Sequence, residues 1–464
     1  MGTADKAVPP QSIQIRTHSA PLVHMASQLI PVAALLMGSA LLLVAGGIHG
    51  LLLPIRGAIE GFSTTELGLI GTGWAVGFVL GCLVVPRIVR RVGHVRAYGV
   101  MASIAGVVIL LNLLIISPWA WIGLRAFSGF CFAGAQMIVE SWLNERCTRE
   151  NRGTIFSVYQ MVNFAASTAG QLLLATAPAE GFFFFVLGAI FYSLAILPSA
   201  LSTAQTPRPL KTTKVDLRSL FRNSPVSAVG CFMIGMVNGA FGTLGAVYGQ
   251  KIGLPTAVIA FFMSAAVLGG AITQVPLGKL SDRVDRRAVL IGVAAAAIVM
   301  SLAIAFINPT QPVLAIGMIT LFGGMIYPMY GLTVAHANDY AAPDDFVKIA
   351  SGLLLMSGIG TMIGPIIGAL AMEHLGPGGL FSFFSVMHVL LIAYTAYRMS
   401  RRPAARDVPR DAFQSVPPLK TATPEAIAMD PRADEAKPAP ATPATPAPSP
   451  AAPALAPEPA SETR

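Results

Sequence analysis

Helix-spaced polar residues within an apolar stretch are the first sign of chemistry in this sequence. Arg125, Gly129, Gln136 and Glu140 fall on one helical face of the stretch 118–140. A charge at the centre of a membrane helix costs about 2.5–3.5 kcal/mol, so it should face the interior of a bundle or water. Arg125 is therefore predicted either to bind an anionic group or to pair with an internal carboxylate. Glu140 is a candidate proton carrier, and a position at the inner membrane surface is its alternative.

A histidine lies in another apolar stretch. His49 precedes Arg56 by seven residues, which puts the two side chains on one helical face. Histidine titrates near neutral pH and is therefore a candidate for a proton path. A hydrogen bond between packed helices is the favoured explanation for His49.

The elements that hold these residues must be membrane spans, because the composition excludes a large soluble domain. Of 464 residues, 54% are hydrophobic and only 11% are charged, whereas soluble domains carry about 25% charged residues. Apolar residues face outward on all sides only in lipid. The four cysteines show neither metal spacing nor a disulfide pattern, and neither a phosphate-binding loop motif nor His-Glu-x-x-His occurs. We therefore expect no enzyme, no cofactor, no metal and no nucleic-acid partner.

Apolar runs long enough for a membrane helix of about 20 residues recur along the chain. Twelve of them lie near 29–53, 67–87, 97–116, 118–140, 154–177, 181–202, 226–248, 256–277, 288–307, 311–333, 348–371 and 379–398. With the N-terminus inside, 20 of the 23 Lys/Arg in residues 1–400 fall in inside segments, and only Arg56 and Lys251 fall outside. This bias predicts an all-α, multi-pass protein of the inner (cytoplasmic) membrane with both termini in the cytoplasm. The net charge of +9 then faces the inner leaflet of the lipid bilayer.

The chain repeats itself. A shift of 192 to 194 residues matches Gly77 with Gly269, Gly129 with Gly323, Asn144-Glu145 with Asn338-Asp339, Ser157 with Ser351, and Gly170 with Gly364. Two like-oriented halves around a midplane site are the plan of a secondary transporter.

The repeat and the composition together predict the domain organisation. It comprises a cytoplasmic segment 1–28, six-helix bundles over 29–202 and 226–398, a basic linker 203–225 and a Pro/Ala-rich tail 399–464. The tail has few large apolar residues, so it is expected to be disordered and to act as an inert extension rather than a tether.

Three motifs resemble those of one family. Gly278 to Arg287 reads Gly-Lys-Leu-Ser-Asp-Arg-Val-Asp-Arg-Arg, Arg125-x-x-x-Gly129 lies in the fourth run, and Glu140 to Arg146 reads Glu-Ser-Trp-Leu-Asn-Glu-Arg. They are similar to the loop motif and the fourth-helix motif of the major facilitator superfamily (MFS), and to the signature of its bacterial YcaD-type subgroup.

This resemblance implies a twelve-helix MFS fold, as two pseudo-symmetric bundles, that transports a small molecule by alternating access. A monomer coupled to the proton gradient is expected, and a non-transporting membrane sensor on the same fold is the alternative. In the family, helices 1, 4, 7 and 10 line the path. The candidate pathway residues are therefore Arg125, Gln136, Glu140, His49, Asn238, Tyr327 and Tyr330. For Asn238, Tyr327 and Tyr330 a hydrogen bond in helix packing is the favoured explanation.

The resemblance also implies gating at the inner ends of the helices. The gating loop comprises Gly278, Asp282, Arg283, Arg286 and Arg287, with Arg90 and Arg91 in the equivalent first-half loop. In the family, the motif's Asp faces the positive N-terminus of a helix in the other half. Here Asp282 should face the start of the fifth run, which carries Arg149 and Arg152.

The first-half loop departs from the motif, because Arg90 stands where the acid is expected. The eleventh run, which this loop should meet, begins with Asp344 and Asp345. We therefore expect a charge-swapped contact worth about 0–1 kcal/mol per exposed pair, with ordinary positive-inside charge as the alternative. The repeated pairs Asn144-Glu145 and Asn338-Asp339 complete the predicted gating partners.

Overall fold

Long helices make up nearly all of the chain that the structure, a computed structural model, describes: residues 32–148, 151–201, 217–340, 346–401 and 423–429. The twelve are α1 (Ala33–Ile59), α2 (Thr64–Val92), α3 (His94–Leu114), α4 (Pro118–Arg146), α5 (Arg152–Leu173), α6 (Phe183–Ala200, with a turn at Ala195), α7 (Pro225–Lys251), α8 (Thr256–Arg283), α9 (Arg286–Ile307), α10 (Pro312–Asn338), α11 (Phe346–Leu375) and α12 (Gly379–Arg401). A linker helix (Leu217–Asn223) and a tail helix (Pro424–Ala428) are short. These ranges contain no strand.

Eleven of the twelve long helices have the length and apolar composition to cross a membrane. The exception is α5, whose hydropathy is lowered by polar residues such as Gln160, Asn163 and Gln171. It nevertheless packs along α1 in the first bundle. The predicted all-α architecture is therefore confirmed.

Two bundles, α1–α6 and α7–α12, repeat the same close helix crossings. A Cβ atom on Gly77 of α2 would overlap the carbonyl oxygen of Ala126 on α4, and one on Gly269 of α8 would overlap that of Thr320 on α10. The same holds for the pairs Gly129 with Trp74 and Gly323 with Ala266, and for the pairs Gly170 with Val44 and Gly364 with Met236. The glycines matched by the sequence repeat therefore occupy equivalent crossings, where only a missing side chain lets the backbones approach.

The bundles join near one end, here called the Gly61 end because it holds the α1–α2 turn at Gly61. The Thr65 hydroxyl donates to Glu373, the Thr72 hydroxyl donates to the carbonyl of Met362 at 2.7 Å, and Ser264 donates to Gln171 at 3.5 Å. Each bond links one bundle to the other. The opposite end, which holds Arg286 at the start of α9, is called the Arg286 end.

The structure differs from the prediction of disorder throughout residues 399–464. Residues 399–401 complete α12, and residues 423–429 form the tail helix with its flanking residues. Pro424 occupies the first turn, where its missing N–H costs nothing, and the Thr423 side chain caps the helix by accepting from the Ala426 N–H. Burial against α4 and α11 stabilises a segment whose composition alone would leave it unfolded.

Candidate functional site

A cavity lies between the two bundles. The first bundle contributes Gly50, Pro54, Ile70, Gly71, Trp74 and Arg125, and the second contributes Asn238, Gly239, Gly242, Thr243 and Thr361. A second cavity shares Gly50, Trp74, Arg125 and Gly242 with it. We call the two together the central cavity. Its walls come from both bundles, so any relative motion of the bundles changes its shape.

Arg125 lines both parts of the central cavity and is only 6% exposed. Its Nη1 donates to the Ser128 hydroxyl at 3.4 Å, and its Cζ lies 5.9 Å from the centroid of the Trp74 ring. Within the described ranges, no carboxylate lies within ion-pair distance of Arg125. The internal carboxylate partner that we considered from the sequence is therefore not found there.

His49 connects Arg125 to a third helix. The Ser128 hydroxyl lies 3.5 Å from His49 Nδ1, and His49 Nε2 lies 3.2 Å from Asn112 Oδ1 on α3. His49 is fully buried. This geometry matches the favoured explanation, a histidine hydrogen-bonded between helices. Ser128 contacts both His49 and Arg125, so it connects the His49 ring to the cavity arginine.

Glu140 lies towards the Arg286 end of α4 and is 1% exposed, so it is not at the surface. The Tyr159 hydroxyl of α5 donates to Glu140 Oε1 at 2.8 Å, and the Thr423 hydroxyl of the tail donates to Oε2. Among the described residues no cation pairs with this carboxyl group. A buried carboxyl group with hydroxyl donors and no cation is suited to exchange a proton.

The other predicted pathway residues divide into two groups. Asn238 lines the central cavity, and both polar atoms of its side chain are buried without a hydrogen-bond partner among the described residues. Gln136, in contrast, accepts a bond from Ser39 at 3.4 Å between α4 and α1. Tyr327 and Tyr330 lie on α10 outside the residues that line the central cavity, and Tyr327 packs over Gly270 of α8. Arg125 and Asn238 are thus the predicted residues that the fold brings to one cavity.

Arg286 is the centre of the gating loop. Its Nε donates to Asp339 at 2.8 Å, and its Nη1 donates to Asp282 and to the Ser281 hydroxyl, both at 3.0 Å. The structure therefore joins the loop motif to the end of α10, within the second bundle. The expected encounter of Asp282 with the start of α5 stays a prediction, because Arg149 lies outside the described residues.

Asp285 is the N-cap of α9 and lies beside Arg287. Its carboxylate accepts from the Arg287 N–H at 2.9 Å and pairs with the guanidinium at 2.9 Å. Burial alone would raise the pKa of Asp285, but the bonds from Arg287 outweigh it and hold the pKa below its ordinary value.

The remaining gating residues are scattered. Arg90, Arg91, Glu145 and Arg283 are exposed, whereas Arg152 is buried at the start of α5 and Gly278 is buried in α8. Asn144 and Asn338 are half-buried in the last turns of α4 and α10. The predicted partners Arg149, Asp344 and Asp345 lie outside the described residues.

Sequence reasoning missed three residues of the site. Ser128 follows Arg125 by three positions, a spacing that puts both on one helical face and could have flagged it. Trp74 lies in an apolar run, where an aromatic residue ordinarily signals packing. Thr423 lies in a low-complexity segment and carried no signal.

Comparisons with known proteins agree with this architecture. Residues 35–354 match the sequence profile described as Major Facilitator Superfamily. The chain is 28% identical over 381 residues to the uncharacterized MFS-type transporter YcaD of Escherichia fergusonii, covering 81% of this chain and 98% of that protein.

Two solved structures have a similar fold. The nucleoside transporter NupG superposes with a TM-score of 0.69 at 12% identity, covering 80% of this chain and 100% of that one. A bacterial homologue of the human lysosomal transporter Spinster, in an inward-facing and occupied conformation, gives a TM-score of 0.64 at 17% identity, covering 80% and 96%. At these identities the likeness concerns the fold alone.

Proposed function

The chain belongs to the major facilitator superfamily and is a multi-pass membrane transporter, not an enzyme, and from that premise we propose that it works as a proton-driven secondary transporter. It carries a small molecule across the cytoplasmic membrane by alternating access. Both termini and the Arg286 end lie in the cytoplasm, as the charge bias predicts.

The observation that carries this proposal is the composition of the central cavity. Six of its lining residues around Arg125 come from the first bundle, and five around Asn238 come from the second. Rocking two bundles about such a cavity opens it to one side of the membrane and closes it to the other. The hydrogen bonds near the Gly61 end support a state that is closed on that side.

Glu140 supports proton coupling. It is a buried carboxyl group within a span, bonded to the Tyr159 hydroxyl, and such intramembrane carboxyl groups mark ion pathways. In this proposal Glu140 takes up a proton from one side and releases it to the other as the bundles move.

Reconstitution tests the proposal. The purified protein is placed in liposomes with a pH-sensitive dye inside, a pH gradient is imposed, and compounds are added one class at a time. We expect at least one compound to change the proton flux of wild-type vesicles but not of Glu140→Gln vesicles. Glu180→Gln, at an exposed acid outside the spans, is the matched control and should behave as wild type.

The alternative of a non-transporting sensor predicts a different outcome. It predicts no compound-dependent proton flux and no compound accumulation in any wild-type vesicle. Accumulation of a compound without proton flux would instead leave transport intact and remove proton coupling.

A further inference from the structure

We propose that Arg125 and Asn238 together form a binding site for a small organic carboxylate with a flat apolar body. This inference rests on the proposed function and names its substrate class. It is drawn from the two polar groups of the central cavity whose bonding the protein itself leaves incomplete.

A comparison of two buried arginines carries the first step. Arg56 on α1 is 9% exposed and pairs with Glu60 at 2.6 Å, and its Nη1 also donates to three backbone carbonyls, of Ala179, Glu180 and Gly181. Arg125 has one serine hydroxyl and one aromatic ring. A buried charge is costly unless it is paired. The fold supplies the counter-charge of Arg56 and leaves that of Arg125 to a ligand.

Asn238 carries the second step. Its amide nitrogen and amide oxygen are both buried, and neither has a hydrogen-bond partner in the part of the chain that the structure describes. The residue lines the same cavity from the opposite bundle. Leaving such groups unsatisfied is unfavourable, because they have lost their bonds to water. A carboxylate accepts bonds from both a guanidinium and an amide N–H. An anion held between Arg125 and Asn238 therefore bridges the two bundles.

The cavity walls specify the rest of the ligand. Trp74 contributes a large flat aromatic surface, and Gly50 and Gly242 contribute backbone without side chains. Gly71 and Gly239 instead let Thr243 and Thr361 approach closely. Such walls offer an apolar body a contact surface and little hydrogen bonding. A planar hydrophobic group attached to the carboxylate fits this lining. Ligand pockets are in general lined mostly by apolar groups, and a few polar groups fix the orientation of the ligand.

Three ligands that share a benzene ring but differ in charge test the site. Thermal unfolding of the purified full-length protein is measured with benzoate, benzamide and benzylammonium at equal millimolar concentrations. We expect benzoate alone to raise the unfolding temperature, and Arg125→Gln and Asn238→Leu each to reduce that shift at least two-fold. Arg125→Lys, which keeps the charge, should retain part of it. Thr320→Val, at a hydroxyl bonded within its own helix, is the control.

Several outcomes overturn the assignment. They are stabilisation by benzamide or benzylammonium equal to that by benzoate, no benzoate shift in wild type, and a benzoate shift that Arg125→Gln leaves unchanged. Compound-dependent proton flux driven only by neutral or cationic compounds would reject the anion while leaving the proposed transport function standing.

A second inference comes from the tail. We infer that residues 423–429 are an autoinhibitory plug that docks between the bundles at the Arg286 end. The segment contacts α4 of the first bundle and α11 of the second. Thr423 and Met429 are fully buried and Ala426 is 3% exposed, so three positions along the segment face protein rather than water.

The plug engages a residue of the proposed mechanism. The Thr423 hydroxyl donates to Glu140, the proposed proton carrier, and the two groups are both buried. A segment that contacts both bundles must leave or rearrange when they rock. While docked, the plug stabilises the conformation in which the two bundles are joined at the Gly61 end. It also occupies a hydrogen-bonding site of the Glu140 carboxyl group.

Docking is measured with a single cysteine at the buried position of the plug. Ala426→Cys is introduced into a full-length chain whose four native cysteines are alanine, and its reaction with a water-soluble maleimide is timed. We expect slow labelling, and labelling at least five-fold faster when Thr423→Val is added. Thr176→Val, at an exposed threonine bonded within its own turn, should not change the rate.

The effect on the bundles is measured separately. Spin labels at Arg87→Cys and Lys279→Cys, exposed positions on α2 and α8, report the distance between bundles. We expect Met429→Asp to shift the distance distribution, and a peptide of residues 420–430 to reverse the shift. Labelling of Ala426→Cys as fast as in the free peptide overturns docking, and an unchanged distance distribution overturns autoinhibition.

Discussion

Gly77 and Ala126 approach each other so closely that a Cβ atom on the glycine would overlap the alanine's carbonyl oxygen. The crossing joins α2 to α4 inside the first bundle, and Gly269 with Thr320 repeats it in the second. The atoms that the added Cβ would meet belong to the backbone of the facing helix. No flexible side chain could therefore move to make room for it.

Gly77→Ala is accordingly expected to destabilise the first bundle by about 1–3 kcal/mol, the usual cost of overpacking. Gly123→Ala is the matched control, because a Cβ atom on Gly123 of α4 meets nothing within 4 Å. Its gain in helix propensity should leave stability unchanged or raise it by up to about 1 kcal/mol. Thermal unfolding in detergent compares the two, and equal midpoints would contradict the crossing.

Replacing each of the two buried arginines, Arg125 and Arg56, by methionine should change the stability of the protein in opposite directions. Arg125→Met removes a charge that has no carboxylate partner among the described residues, and we expect it to stabilise the ligand-free protein by up to about 2.5–3.5 kcal/mol, the cost of an arginine at the centre of a span. Arg56→Met removes the Glu60 pair and three carbonyl bonds, and should destabilise by about 1–3 kcal/mol. Unfolding midpoints check both, and a loss of stability in Arg125→Met would indicate an internal counter-charge.

Asp339 and Asp282, which both bond to Arg286, should contribute unequally to the stability of the protein. The Asp339 side chain is 10% exposed and that of Asp282 is 28% exposed, whereas Arg286 itself is 2% exposed. Asp339→Asn should cost about 3–5 kcal/mol, because it leaves a buried charge poorly paired, and Asp282→Asn about 0–1 kcal/mol. Chemical denaturation of the variants measures the difference, and a larger loss in Asp282→Asn would reverse the assignment.

Docking of the tail should depend on pH. Burial raises the pKa of Glu425 in the tail helix from 4.5 to about 7, and the carboxyl group of Glu140 faces it from α4. The docked tail then binds more protons than the released tail, so docking is strongest below about pH 4.5 and weakens as the pH rises to about 7.

Release of the tail is measured as the labelling rate of Ala426→Cys divided by the labelling rate of Ser400→Cys, an exposed position. The ratio should rise between pH 4.5 and about 7 and level off above that range. Glu425→Gln should give a low ratio at every pH, since it cannot ionise. A rise that persists unchanged in Glu425→Gln would assign the titration to another group.

The charge-swapped contact expected from the sequence remains a prediction. Arg90 is exposed on the last turn of α2, and Asp344 lies outside the described residues. Arg90→Asp should reduce the population closed at the Arg286 end by up to about five-fold, the scale of an exposed pair, and Asp344→Arg in the same chain should restore it. Spin labels at Arg87→Cys and Lys279→Cys measure the populations, and absence of rescue in the double variant would favour ordinary positive-inside charge.

The helices and their repeat could be predicted because both are local properties. An apolar run near 118–140 must become a helix in lipid, where only internal hydrogen bonds satisfy the backbone, and α4 spans Pro118–Arg146. Glycines such as Gly129 and Gly323 mark equivalent crossings because close helix approach excludes side chains. Arg125 stood out for the same local reason, as a charge in an apolar run.

Partners in space could not be read from the sequence, because they arise where distant segments cross. Gln136 and Glu140 share a helical face with Arg125, yet they are not among the residues that line the cavity. They bond to Ser39, Tyr159 and Thr423 instead. The composition of the tail predicted disorder, and only its fit between α4 and α11 made residues 423–429 a buried helix.

The sequence by itself determined a membrane protein of two repeated helical bundles, since hydrophobic length, charge bias and glycine spacing act within each helix. Tertiary structure alone decided that Arg125 and Asn238 line one cavity, and that Arg125 has no carboxylate partner among the described residues. The physical reason is that the free energy of a buried charge depends on what surrounds it, and those surroundings come from the helices of both bundles.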